Sequence, residues 1–154
     1  MLTANGKAVC KFNGYSDRTA NNQSMTLLNT NNSSSVVGAG SAFSNFMSSL
    51  IMVVGTSATE PTSHDYTITN QNAGLTVLNR TNTHSVGSYT QDYIAIYTVT
   101  YRNNTENDIT VSEAGIIGND AGGAGSPWFL LARDVFDSVT IAPGETYTFS
   151  MYIG

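Results

Sequence analysis

The chain has 154 residues, a net charge of -5 and only 11% charged residues, while Ser, Thr and Asn supply about a third of it. That length is one ordinary domain, long enough to bury a core without staples. With Lys and Arg scattered and outnumbered by Asp and Glu, no face can neutralise a phosphate backbone, so a nucleic-acid partner is excluded. The single cysteine, Cys10, cannot close an internal disulfide, and no Cys/His spacing suits zinc.

The N-terminus lacks the apolar stretch of a secretory signal, and the longest apolar run, Leu50 to Val54, is far too short to span a bilayer. We therefore expect a chain made in a cytoplasm, with no membrane association. A surface so poor in charge is unusual for a monomer and points to burial against neighbours in an assembly.

Residues 1–40 read as an irregular arm or linker ahead of a domain at 41–154. Within the arm, Lys7 to Phe12 and Ser24 to Leu28 are compatible with short strands, and Asn29 to Ser35 (NTNNSSS) reads as a loop. Phe43, Phe46, Met47, Leu50 and Ile51 then recur at helical spacing behind Ser41 as N-cap, which predicts a short helix. It runs into a buried strand over LIMVVGT, ending near Gly55. A turn-rich connection follows, in which Pro61 fixes the backbone and Asp65 can bond neighbouring amides.

Beyond residue 75 the chain reads as strands and turns. Strands are expected at Leu75 to Leu78, Tyr93 to Tyr101, Ile109 to Ile117, Trp128 to Phe136, Val139 to Ile141 and Thr146 to Ile153. The turns are RNNTEND, GNDAGGAGSP and APGE. This predicts an all-β fold, an antiparallel β-sandwich of jelly-roll or Ig-like type carrying one short helix. In the last strand Tyr147, Phe149, Met151 and Ile153 share a core-facing parity, while Thr146, Thr148 and Ser150 line the other face with Tyr152.

Candidate chemistry is sparse. His64 and His84 fall in predicted loops with no nucleophile beside them, and the Gly-rich GAGSAF and GNDAGGAGSP lack the Lys and the spacing of phosphate loops. Trp128 starts a strand and reads as core or interface. Glu113 and Arg133 stand out. Glu113 shares the parity of Ile109, Val111 and Ile117, and Arg133 that of Phe129, Leu131 and Val135, so each sets a charge on an apolar face. Isolated burial of either would cost several kcal/mol, and the economical solution is that the two meet as a structural ion pair. A β-bulge at Gly115 or Ala132 would instead turn one to solvent. An acid/base role for Glu113, with Asp92 as second carboxylate, is the weaker reading, because no aromatic cleft surrounds either. No catalytic, cofactor-binding or metal-ligating residue is assigned.

Four blocks in order, IMVVGTSATEPTSHDYTITN, YTVTYRNNTENDITVSEAGIIGN, the LLAR of PWFLLARDVFDSV and the closing TIAPGETYTFSMYIG, carry a resemblance. Over residues ~50–154 the chain resembles small structural proteins of tailed-bacteriophage virions, whose layout runs VGTG…P…DY, ITVSEIGL, LLAR and PGE. Ser57 replaces the usual second Gly, and Ala114 the usual Ile or Val. The resemblance implies a non-enzymatic β-sandwich component of the virion, without cofactor. A capsid decoration or auxiliary protein on the head is the leading form, in many copies or as a homo-oligomer, with the major capsid protein as partner. The alternative is a tail or fibre module that adsorbs to host glycans or joins fibre parts.

Overall fold

The computed structural model describes residues 25–37, 50–85, 94–119 and 128–153. In chain order the strands are β1 (Met25–Leu28), β2 (Ser34–Val37), β3 (Ile51–Gly55), β4 (Thr76–Ser85), β5 (Ile94–Arg102), β6 (Ile109–Asn119), β7 (Trp128–Ile141) and β8 (Thr146–Ile153). All pairings are antiparallel, and they build a hairpin β1-β2 and two three-stranded sheets, β3-β6-β7 and β4-β5-β8. The architecture is all-β and sandwich-like, and no helix occurs among the described residues. The helix predicted from Ser41 lies mostly outside those residues. Its last two positions are described: Leu50 is irregular and Ile51 opens β3.

The two larger sheets share one core. Met52 and Val54 of β3, Val111, Ala114 and Ile116 of β6, and Phe129 and Leu131 of β7 pack with Tyr97, Val99 and Tyr101 of β5 and Phe149 and Met151 of β8. Alternation along β5 and β8 produces this arrangement directly, since every second side chain faces the partner sheet. The opposite face of β3-β6-β7 is also covered. There Val53, Ile117 and Leu130 form a second cluster with Ile68, which comes from the long connection between β3 and β4.

Several expectations need correction. Asn29 to Ser35, expected as a loop throughout, is a turn only to Ser33, and β2 begins at Ser34: the Asn29 side chain accepts from the backbone N–H groups of Asn31 and Ser33 at 3.0 Å each and closes the β1-β2 turn. Thr30 N–H then donates to the Trp128 carbonyl at 2.8 Å, tying this hairpin to the start of β7. The two strands expected at Trp128 to Phe136 and Val139 to Ile141 are one strand of 14 residues, interrupted only by irregular pairing. His84 belongs to β4, opposite Ala95, and not to a loop.

The faces of β6 and β7 also differ from simple alternation. Val111 points into the main core with Ala114 and Ile116, so the parity of β6 reverses around Ser112, where the register with β7 shifts. Leu131 is an extra residue opposite the Ile116–Ile117 step, and Phe129, Leu131 and Ala132 all join the main core. Glu113 therefore shares a face with Ile117 and not with Val111, and Arg133 with Val135 and not with Phe129 or Leu131. Neither irregularity sends a charge to solvent. Together they move both charges to the face covered by the connection.

Candidate functional site

The segment from Thr56 to Leu75 is a strap without strands, laid across the β3-β6-β7 sheet. A connection this long, lacking regular structure, has to be fastened by side chains, because it has no ladder to hold it. Ile68 is its apolar anchor, 3% exposed in the second cluster. The polar fastening is built on Glu113 and Arg133.

Glu113 is completely buried, at 0% exposure. Its Oε1 accepts the backbone N–H groups of Ser57 at 3.0 Å and Thr69 at 2.8 Å, one from each end of the strap. Its Oε2 accepts Nε of Arg133 at 2.7 Å. Arg133 reaches further: one terminal nitrogen donates to Oδ2 of Asp65 at 2.8 Å, the other to the carbonyl of Thr59 at 2.9 Å. Asp65 closes its own turn, accepting from the Thr62 amide at 2.9 Å and the Thr62 hydroxyl at 2.7 Å. One guanidinium fork thus binds two carboxylates and a carbonyl, the geometry in which Arg surpasses Lys.

The electrostatics follow from these partners. Burial pushes the Asp65 carboxyl up, but the Thr62 amide and hydroxyl and the Arg133 guanidinium outweigh it and hold the group below its ordinary range. Burial likewise favours loss of the Arg133 proton, while the hydrogen bonds and charges of Glu113 and Asp65 hold its pKa above the ordinary value. Both groups are locked in their charged forms. Glu113 is sealed from any solute by the strap above it, so its carboxylate is placed to hold the strap and out of reach of a substrate.

Gly55 makes this closeness possible. A methyl group there would stand 2.4 Å from Ile68 Cγ2, 2.5 Å from the Thr69 carbonyl and 2.6 Å from Glu113 Oε1. The strap's exit is fixed by Asn72, whose N–H donates to the Val54 carbonyl at 2.7 Å and whose side chain accepts the Tyr101 hydroxyl. Asn70, Asn72 and Ala73 all take positive φ in this tight turn, a conformation that Asn tolerates better than Ala.

Over the fastening lies an open recess of about 300 Å³, lined by Ser57, Thr59, His64, Tyr66, Thr67 and Thr69 with Asp65 and Arg133. His64 is exposed in the strap, and the hydrogen bonds of Glu113 go to Ser57, Thr69 and Arg133 instead. Asp92 lies outside the described residues. Among the described residues no group of three His, Cys, Asp or Glu is placed to hold a metal ion.

A second polar node sits at the far end of β5. Asn103 is 0% exposed, and its amide nitrogen donates to the carbonyls of Asn107 and Ile141 at 2.8 Å each. Its side-chain oxygen accepts the backbone N–H of Thr105 at 2.9 Å and the Thr105 hydroxyl at 2.7 Å. Its backbone bonds Glu145 and Gly144, so this one residue ties the β5-β6 turn to the β7-β8 turn. The importance of Asp65 and Asn103 was not apparent from sequence. Asp65 reads as a local turn former, and Asn103 as one residue of the RNNTEND turn. Neither has a local pattern that reveals its distant partner, Arg133 for Asp65 and Ile141 for Asn103.

Compared with protein-family models, with curated proteins and with solved structures, the chain matches none.

Proposed function

We propose that the chain is a non-enzymatic structural protein of a tailed-bacteriophage particle, a decoration protein on the head surface whose partner is the major capsid protein. The observation that supports this reading is where the residues of the phage-like blocks lie. Gly55 of VGT, Asp65 of DY, Glu113 of SEAG and Arg133 of LLAR converge on the strap fastening. Asn103 of NNT meets Gly144 and Glu145 of PGE at the second node. The most specific residues of the chain are thus spent on rigidity and not on a reacting centre. A sandwich of jelly-roll or Ig-like type fits that purpose.

The outer surface suits a docking protein. On the exposed side of β5 and β8, the Thr98 hydroxyl bonds Ser150 at 3.1 Å and the Thr100 hydroxyl bonds Thr148 at 2.9 Å, an uncharged hydroxyl face. Repeated over many copies on a shell, modest contacts of this kind add up. Purified protein should co-sediment with empty capsids of its phage and raise their disassembly temperature. Failure to bind capsids, with co-purification on tails, would overturn the head assignment.

The same hydroxyl face, beside Tyr152 at 69% exposure, also favours a second reading, a tail or fibre module that adsorbs to host glycans. Hits on a glycan array together with a tail location would establish it. An array without hits and a head location would remove it.

A further inference from the structure

We propose that the outer edge of β8 pairs antiparallel with β8 of a second copy of this chain, about a two-fold axis at Ser150, merging the two β4-β5-β8 sheets into one. The proposal rests on a comparison of the sheet edges and stands apart from the virion reading.

An outer strand offers unpaired backbone groups to any other strand, and folded proteins block such edges with charges, bulges, short length or a covering loop. The two larger sheets end on β3, β7, β4 and β8. β3 has only five residues, and the strap bonds the Val54 carbonyl through Asn72. β7 carries two register shifts and the exposed charges Asp134 and Asp137, and the β1-β2 turn bonds its first carbonyl. β4 shifts register at Leu78 and carries the exposed Arg80. Each of these edges has at least one device against strand addition.

β8 has none. It pairs with β5 in unbroken register from Thr146 to Ile153, and its sequence TYTFSMYI contains no charge, Pro or Gly. Among the described residues nothing pairs with its other side. Of the three large hydrophobic residues that stand exposed among the described residues, Leu78, Tyr147 and Tyr152, two belong to it.

A second copy is the occupant that the register favours. A two-fold axis normal to the sheet pairs residues of equal parity, so core side meets core side and outer side meets outer side. With Ser150 on the axis, Phe149 stands opposite Met151, extending the core row, and Tyr152 stands opposite Thr148, an aromatic and β-branched pair. The contact holds no charge, which matters because each copy carries a net charge of -5. An axis at Phe149 would instead set two Phe149 rings against each other and carry the pairing back to Glu145.

Sedimentation equilibrium of the full chain should give twice the monomer mass of 16.4 kDa. Ser150→Lys sets two ammonium groups face to face and should weaken the dimer at least tenfold, while the exposed position leaves the far-ultraviolet circular dichroism spectrum unchanged. Directly opposed residues of an antiparallel pair have Cα atoms ~4.5–5.5 Å apart, within disulfide range. In a Cys10→Ser background, Ser150→Cys should therefore cross-link on mild oxidation, and Thr98→Cys, on the central strand, should not. A monomeric wild type, a dimer indifferent to Ser150→Lys, or no cross-link at position 150 overturns the proposal. None of these outcomes depends on capsid binding.

Discussion

Replacing Glu113 by Ala tests whether the strap is held as described. The substitution removes the acceptor of three hydrogen bonds, leaves the Ser57 and Thr69 amides without their partner, and takes one of two carboxylates from a guanidinium 4% exposed. Removing one member of a buried ion pair costs about 3–5 kcal/mol, since the other charge stays buried. Asp65 and the Thr59 carbonyl still hold Arg133, which places the expected loss at the lower end, about 3 kcal/mol. At about 2–4 °C per kcal/mol for a domain of this size, the melting temperature should fall by roughly 6–12 °C. Glu113→Gln keeps an oxygen for the two amides but turns an NH2 donor toward the Arg133 Nε–H, so it removes both the charge and that acceptor and its loss should approach that of the Ala variant. Thermal and urea unfolding followed by circular dichroism give both values, and limited proteolysis should cut residues 56–75 faster in the Ala variant. A shift below about 2 °C for Glu113→Ala, the size of an ordinary surface change, would refute the argument.

Two glycines should respond to different degrees and for different reasons. Gly55→Ala drives a methyl group into the Thr69 carbonyl and Glu113, and should destabilise by more than about 2 kcal/mol in urea titrations. Gly144→Ala meets no atom within 4 Å and bears only the strain of φ +81°, so about 1 kcal/mol is expected. Asn103→Ala leaves the Ile141 and Asn107 carbonyls and the Thr105 amide without their partner, a loss of roughly 2–4 kcal/mol in the same titrations. Acid should loosen the strap through Asp65. Its folded pKa is depressed, so its stabilisation is complete above the unfolded value of ~3.9 and is lost as pH falls through the lower folded value. Melting temperature measured from neutral pH downward should therefore fall less steeply below ~pH 4 in Asp65→Asn than in the wild type.

The identity of β5, β6 and β8 is local, and the sequence determined it, whereas β4 runs seven residues past the expected Leu78 because β5 supplies its ladder. Period-2 alternation of Tyr97, Val99 and Tyr101 and of Phe149 and Met151, with turn residues at RNNTEND and APGE, is enough to place β5, β6, β8 and their turns within a residue or two. Such patterns need no distant partner, because a strand's two faces are set by the chain's own pleat. The two charges on apolar strands were legible for the same reason. Which face they occupy was not. The register shifts at Ser112 and Leu131 arise from fitting β6 against β7, and each reverses the alternation that sequence counting assumes. Asp65, 68 residues from Arg133 in sequence, joins the fastening only because the strap folds back over the sheet. Composition foretold a surface poor in charge. Only the pairing of strands decided which strands stand at the sheet edges among the described residues, since an edge is defined by its neighbours and not by its own sequence.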